Sequence, residues 1–191
     1  MSPDSIAIRD AAEALLASID FDGTPAFKFV GRVPVEQEPD DDLPSLLVIA
    51  SREQMQADGD ANAGEPSFVV DLTLSVLISL SADLTTGETD PKTARDRADE
   101  RLTDRIGAVQ GLLLRTPAFL ALFDGVSSIN STRVFDKPGE RFFARARIEM
   151  TVQYRCHFPP IVPDDLERVA ITAKMGGPFS PMVRARVVIP T

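Results

Sequence analysis

Few side chains of this sequence could take part in catalysis, and the two most reactive ones are neighbours. Cys156 is the only cysteine and His157 is the only histidine. They follow each other in a segment that alternates like a strand, so we expect their side chains on opposite faces and not as a nucleophile–base dyad. A Ser/His/Asp triad would also require His157, and a zinc site requires about four ligands. The sequence therefore predicts no catalytic residue, no metal site and no cofactor.

The segment from Asp58 to Asn62, DGDAN, resembles the beginning of a calcium-binding loop. However, Ala63 stands where such a loop needs glycine, and Val69 stands where it needs a bidentate glutamate. The sequence also lacks the glycine-rich motifs that bind phosphate. We therefore interpret residues 56–66 as a flexible loop.

Three arginines, Arg145, Arg147 and Arg155, share one face of a predicted strand. A strip of this kind is typical of nucleic-acid binding when aromatic residues for base stacking alternate with the arginines, and here they do not. The formal net charge of -9 also argues against a nucleic-acid clamp, since such binding depends on Lys and Arg contacts to phosphates. We interpret the three arginines as part of a solvated face or of a subunit interface.

Two long alternating segments are the elements that must position these residues. From Arg141 to Pro160 and from Phe68 to Ser81, apolar residues occupy every second position and mostly polar residues lie between them. This pattern predicts two strands with one buried and one solvated face, which favours antiparallel pairing. Both segments are about twice as long as a usual strand of five or six residues. We expect that a second chain is needed to cover so large a sheet.

The other predicted elements are shorter. Prolines at favoured first-turn positions predict helices that begin at Pro3, Pro91 and Pro117. Alternating or apolar runs predict strands at 27–33, 45–51, 126–135, 169–175 and 183–189, and the acidic, proline-rich segment 34–44 is predicted to be a second flexible loop. Because helices are grouped apart from hairpins, the chain is expected to form a single α+β domain over 1–191. Its predicted architecture is a mainly antiparallel β-sheet with helices packed on one face.

Charge is distributed unevenly along the chain. Residues 1–90 contain 18 acidic and 4 basic side chains, whereas residues 91–191 contain 11 acidic and 16 basic ones. The two halves can neutralise each other within one monomer, or they can form the two sides of a heterologous, head-to-tail interface between identical subunits. In the second case residues 178–191, with Arg184 and Arg186, are a candidate interface arm that adds to the sheet edge of a neighbour.

The order of these elements resembles the tail terminator, or tail completion, proteins of long-tailed bacteriophages. The resemblance spans roughly residues 5–175 and is carried by the helix that begins at Pro91 and by the helix that begins TPAF at Thr116. It is strongest over 141–172, RFFARARIEMTVQYRCHFPPIVPDDLERVAIT. The pattern is one of structural elements and includes no catalytic motif. The polar insertion at 56–66 and the last strand have no counterpart in it.

The resemblance implies a structural virion protein and not an enzyme. It implies a hexameric ring that caps the tail tube, ends tail polymerisation and joins the tail to a neck or head-completion protein, with DNA passing through the lumen without specific binding. The protein is then assembled in the host cytoplasm and located in the tail or neck of the virion. The alternatives are another head–tail connector or neck protein, a non-viral oligomeric assembly module, and an enzyme that uses a pair of acids.

Overall fold

The structure, a computed structural model, describes residues 2–32, 43–59, 66–82, 91–136, 142–158, 168–174 and 182–188. Its helices are α1 (Pro3–Leu16), α2 (Pro91–Arg115) and α3 (Pro117–Leu120). Its strands are β1 (Asp20–Phe21), β2 (Thr24–Pro25), β3 (Phe29–Gly31), β4 (Ser45–Ala57), β5 (Ser67–Ala82), β6 (Gly125–Asp136), β7 (Phe142–His157), β8 (Arg168–Lys174) and β9 (Met182–Val188). The predicted α+β class is confirmed.

One five-stranded sheet organises the fold, with the strand order β3-β4-β5-β7-β6. The pairs β4–β5, β5–β7 and β6–β7 are antiparallel as predicted, whereas β3 pairs with β4 in parallel. The two long strands are its central members, and their register runs unbroken from Ser67 opposite His157 to Ala82 opposite Phe142. Strand β4 pairs with most of the outer edge of β5, and β6 pairs with most of the outer edge of β7. The length of β5 and β7 is therefore no argument for a second chain, contrary to our expectation.

Helices α1 and α2 pack against one face of this sheet, which we call the helix face. The even-numbered residues of β5 and β7 lie there in register, for example Leu74 opposite Met150, and both of these side chains are fully buried. Complete burial of a side chain of this size contributes about 1.5–3 kcal/mol. The opposite side of the sheet, the open face, carries the odd-numbered residues of both strands.

Strand β4 is longer than predicted, because it continues through Ala57 and not only to Ser51. Residues 56 and 57, which we expected in a flexible loop, pair with Val69 and Phe68 of β5. The second half of the strand, REQMQA, contains little of the apolar alternation that marks a strand in the sequence. Backbone pairing with β5 forms it instead. Of the remaining residues of the predicted loop, 58, 59 and 66 are described and 60–65 lie outside the described residues.

Two β-bulges lie at the same level on either side of the central strand pair. Ser51 of β4 and Ser127 of β6 are the inserted residues, and their hydroxyls donate hydrogen bonds to the carbonyl oxygens of Thr73 and Thr151, each at 3.2 Å. The hydroxyls of Thr73 and Thr151 are themselves 3.4 Å apart. Serine and threonine side chains therefore form a row across the sheet. After the bulge at Ser51, the odd-numbered residues of β4 lie on the helix face, whereas before it they lie on the open face.

The segments near the N-terminal helix differ from the prediction in two respects. The predicted strand 27–33 is reduced to Phe29–Gly31, where a Cβ atom on Gly31 would lie 2.6 Å from the Phe29 ring. The segment FDGT from Phe21 to Thr24, where no strand was predicted, forms the turn region of a small hairpin between β1 and β2. Asp22 and Gly23 at its tip both have positive φ angles, 54° and 78°, as a two-residue type I′ turn requires.

The consecutive strands β6 and β7 pair with each other antiparallel, and residues 137–141 between them lie outside the described part of the chain. The last two predicted strands are confirmed within one or two residues at each end, and β8 and β9 pair with each other in a separate two-stranded sheet. Most of the predicted loop 34–44 also lies outside the described residues. At its end, however, Leu43 is buried and not solvated.

Candidate interaction surface

The two most reactive side chains lie on opposite faces of β7, as the alternation predicted. Cys156 is only 5% exposed and faces the helices, and this burial raises the pKa of its thiol. His157 is exposed on the open face, opposite Ser67 of β5. No Cys/His dyad is formed by these residues. Within the described ranges, no group of three or more His, Cys, Asp or Glu residues is arranged to hold a metal ion.

The three arginines of β7 lie on the open face, and each has a local partner. Arg147 forms an ion pair with Glu149 at 2.8 Å and reaches the Ser75 hydroxyl at 3.4 Å. Arg155 lies 3.4 Å from the carboxylate of Asp58. The guanidinium of Arg145 lies over the ring of Phe143, 5.5 Å from the ring centroid. These contacts favour a solvated or protein-binding face over a strip that binds phosphates.

A buried hydrogen-bond network fastens the beginning of α1 to the sheet. The backbone N–H of Ser2 donates to both carboxylate oxygens of Glu53, at 3.2 and 3.1 Å, and the Tyr154 hydroxyl donates to Glu53 Oε1 at 2.7 Å. The Ser2 hydroxyl lies 2.7 Å from the Tyr154 hydroxyl and accepts the backbone N–H of Ser5 as a helix cap. Glu53 can reach this position only because the bulge at Ser51 turns it toward the helix face.

The network sets the protonation of its members. Burial alone would raise the pKa of Glu53, but hydrogen bonds from Ser2 and Tyr154 outweigh it and lower the pKa. Burial raises the pKa of Tyr154, and its hydrogen bond to the Glu53 carboxylate acts in the same direction. Glu53 is therefore a poor proton acceptor, and Tyr154 remains protonated. The role of this network that the geometry supports is structural.

An exposed apolar surface lies at the end of the sheet near the start of α1. It consists of Met55, Phe68 and Phe158, and we call it the shelf. Met55 is 40% exposed and Phe158 is 42% exposed, and the Phe158 ring packs edge-on against Phe68 with their centroids 5.7 Å apart. The register places Met55 diagonally next to Phe68 on the helix face. Large apolar side chains grouped in this way are typical of an interaction site.

A shallow cleft with two carboxylates lies near the shelf. It encloses about 290 Å³ between α1, the turn after α3 and β7, and Ile8, Leu122 and Tyr154 contribute to its walls. The carboxylates are those of Asp4 and Asp124, both exposed. Arg155 also lines the cleft, so its lining combines apolar, acidic and basic side chains.

The outer edge of β6 is the longest unpaired edge among the described strands. From Ser128 to Asp136 its register with β7 is continuous, and on its other side no described strand pairs with it. Edge strands are usually protected by lysine, proline or a bulge, and this stretch contains none of the three. Its one basic residue, Arg133, is ion-paired with Asp99 of α2 at 3.1 Å.

The opposite edge of the sheet is only partly protected. Strand β3 pairs with β4 at residues 45–47, and from Val48 to Ala57 no described strand pairs with the outer side of β4. This edge contains the bulge at Ser51, so it differs in shape from the continuous edge of β6.

In the described part of the chain, no helix has the length and apolarity that crossing a membrane requires. Comparison of the sequence with protein-family models and with curated proteins yields no match. The described surfaces that another protein could contact are the sheet edges with which no described strand pairs and the exposed apolar shelf.

Proposed function

We propose that this protein is a structural subunit that assembles into a ring, and that the ring is the tail terminator of a long-tailed bacteriophage. In this role a hexamer caps the tail tube, ends its polymerisation and presents a surface to a neck or head-completion protein. DNA passes through the lumen without specific binding. The protein acts in the virion, after assembly in the host cytoplasm, and it catalyses no reaction.

The observation that carries this proposal is the outer edge of β6, with which no described strand pairs. An exposed, regular edge presents a row of free backbone N–H and C=O groups that another strand can pair with. The second open edge, on β4, has a different shape, so a contact between the two edges is heterologous. Heterologous contacts form a closed ring when the rotation between subunits divides a full turn.

The distribution of charge supports the same arrangement. The first half of the sequence, which includes β4, has a net charge of -14, and the second half, which includes β6, has a net charge of +5. Contacts between unlike halves of neighbouring copies favour head-to-tail association and disfavour contacts between like halves. The sequence resemblance then selects the phage tail among the assemblies that consist of rings.

Mass measurement by native mass spectrometry across a dilution series tests the ring. We expect a species of six times the 20.7 kDa of the single chain. The double variant Thr132→Lys/Val134→Lys places two charges on the exposed surface of β6, where the wild-type Val134 is 47% exposed. We expect this variant to be monomeric and folded, because exposed substitutions usually change stability by no more than about 0.5 kcal/mol.

The matched control carries the same two charges elsewhere. Thr103→Lys/Leu114→Lys changes two exposed positions of α2 and should keep the ring. A wild-type chain that remains monomeric at every concentration, also in the presence of tail-tube protein, would refute the proposal. A ring that does not bind the end of a tail tube but binds head proteins would assign the chain to another head–tail connector.

A further inference from the structure

Three Asp–Gly pairs occur in the described part of the chain, at Asp22–Gly23, Asp58–Gly59 and Asp124–Gly125. In such a pair the glycine nitrogen can attack the carboxyl carbon of the aspartate, because a residue without a Cβ atom leaves this approach open. The product is a succinimide ring, and its hydrolysis gives aspartate or isoaspartate. The reacting residues are the same at each site, so the structure around them decides which pair reacts most readily.

The pairs at Asp58 and Asp124 are held by the five-stranded sheet. Asp124 directly precedes β6, and its backbone N–H donates to the Gln153 carbonyl at 2.7 Å. The backbone N–H of Asp58 donates to the Ser67 carbonyl at 2.8 Å, and its carboxylate is paired with Arg155. Ring closure requires the aspartate side chain and the following nitrogen to approach each other, so these contacts oppose the reaction.

The pair at Asp22 lies at the tip of the hairpin between β1 and β2, outside the five-stranded sheet. Asp22 and Gly23 are both exposed. Among the described residues, no hydrogen bond or ion pair holds the Asp22 carboxylate. The Asp22 side chain can therefore turn toward the Gly23 nitrogen without breaking a contact.

A second carboxylate lies against the attacking nitrogen at this site. The backbone N–H of Gly23 donates to Asp20 Oδ1 at 3.4 Å. A carboxylate in this place can take up the proton that the nitrogen loses when it attacks, which is general-base catalysis. At the other two Asp–Gly pairs, the described residues place no carboxylate against the glycine N–H.

We propose that the Asp22–Gly23 pair is a site of spontaneous backbone isomerisation and that Asp20 is the base in the reaction. The nitrogen of Gly23 forms a bond with the carboxyl carbon of protonated Asp22 as its own proton passes to Asp20. The C–OH bond of Asp22 then breaks, and the hydroxyl group leaves as water with the proton that Asp20 returns. Water adds to the succinimide at either carbonyl carbon, and addition at the former backbone carbonyl gives isoaspartate.

Isoaspartate lengthens the main chain of this two-residue turn by one methylene group. A type I′ turn does not accommodate an additional backbone atom, so the register of Asp20 opposite Pro25 should be lost. The hairpin also contacts α2, because the Arg105 guanidinium lies over the Phe21 ring and Arg105 Nε donates to the Ala26 carbonyl at 3.2 Å. Isomerisation therefore changes a contact between the N-terminal segment and α2, and it does not depend on the proposed ring.

Peptide mapping of the full chain after incubation in mildly acidic buffer tests this inference, and the other two Asp–Gly pairs are its internal controls. We expect isoaspartate to accumulate about tenfold faster at Asp22 than at Asp58 or Asp124, a difference of about 1.4 kcal/mol in activation free energy. In the chain unfolded by urea the three rates should become similar, because the structural differences between the pairs are then removed. Equal rates in the folded chain, or a faster reaction at Asp58 or Asp124, would overturn the proposal.

The variant Asp20→Asn tests the base. It keeps an oxygen that accepts the Gly23 N–H but removes the carboxylate, and the rate at Asp22 should fall about tenfold. This is less than the usual general-base contribution of about 100-fold or more, because the contact of 3.4 Å is long. Hydrogen exchange at the Ala26 amide, which donates to the Ile19 carbonyl, shows whether the hairpin remains formed. An unchanged rate in a formed hairpin refutes the role of Asp20.

The variant Asp22→Asn tests whether the turn permits the attack. Asparagine forms the same succinimide with loss of ammonia in place of water, so the folded variant should convert at position 22 to aspartate and isoaspartate. A folded variant that retains its asparagine, while the urea-unfolded variant loses it, would show that the turn blocks the reaction. That result would also overturn the proposal.

Discussion

The helix face and the open face of the β5–β7 pair consist of the same two strands but are covered in different ways. On the helix face, residues such as Leu74 and Met150 are completely buried by α1 and α2. On the open face, the side chain of Arg147 is 54% exposed. Even there, Ser75 is only 2% exposed, because it is small and longer neighbours such as Arg147 reach over it.

Because of this difference, the residues that stabilise the fold and the residues that are exposed for binding lie on different surfaces of the same sheet. The helix face holds the apolar area whose burial stabilises the fold, so substitutions there should affect unfolding. The open face, the strand edges and the shelf contribute little to the core, so they can change without unfolding the chain. The experiments that follow test this division, beginning with the largest expected effect.

Deletion of Ser51 should have the largest effect, because it moves residues from one face to the other. Without the inserted residue, the outer half of β4 shifts by one position and Glu53 and Met55 turn toward the open face. Glu53 then loses its contacts with Ser2 and Tyr154. We expect the free energy of unfolding to fall by more than about 4 kcal/mol, a range reached by few single changes.

Chemical denaturation measures this loss, and Ser51→Ala is its control. The substitution keeps the bulge but removes the hydroxyl contacts with Thr73 and Ser75, so a loss of about 1 kcal/mol is expected. Equal effects of the deletion and the substitution would show that the bulge does not determine which face Glu53 occupies.

Truncation on the two faces of β7 compares them directly. Met150→Ala leaves a cavity between the sheet and the helices and should lower the free energy of unfolding by about 2–5 kcal/mol. Thr151→Ala, the next residue on the opposite face, should cost no more than about 1 kcal/mol, because it removes one long contact with Thr73. Similar losses from both variants, measured in the same denaturant series, would mean that the open face is also part of the core.

The network at the start of α1 should make a smaller contribution. Tyr154→Phe removes the hydroxyl that donates to Glu53 and contacts Ser2, and we expect a loss of about 1–3 kcal/mol at neutral pH. Amide hydrogen exchange should become faster in the first turn of α1 and remain unchanged in α2. Uniformly faster exchange in both helices would contradict a local role for the network.

The smallest expected effect is a dependence of stability on pH. Because the folded-state pKa of Glu53 is lowered, its contribution is complete above the unfolded pKa of glutamate, about 4.3, and is lost as the pH falls through the lowered folded value. The difference in unfolding free energy between the wild type and Glu53→Gln should therefore narrow below about pH 4. A difference that stays constant from pH 7 to pH 3 would show that the charge of Glu53 is not involved.

Much of the fold could be predicted where local rules apply. The beginning of the first helix at Pro3, the alternation of β5 and β7 and the separation of Cys156 from His157 all follow from the sequence over a few residues, and the structure confirms them. The outer half of β4 could not be predicted, because its residues lack alternation and only β5, more than ten residues away, holds them in a strand. For the same reason the sequence indicated neither the parallel pairing of β3 nor the role of Glu53.

The candidate interaction surface was predicted only in part. The basic last strand was identified as a candidate arm from its composition, but the shelf was not, because Met55 lies between the predicted strand 45–51 and the predicted loop 56–66, where no element was predicted. Phe68 and Phe158 belong to strands that were predicted, yet their contact depends on the register between β5 and β7. A solitary methionine in the polar segment 52–57 is the signal that could have indicated the shelf.

The sequence alone determined which side chains of each long strand share a face, since the two-residue period is a property of the backbone of one strand. It also determined the uneven charge of the two halves. Only the tertiary structure decided which face the helices cover, which strands remain at the edges and where the bulges reverse the alternation. Those features depend on hydrogen-bond partners and packing contacts between residues far apart in the chain, and no local pattern encodes them.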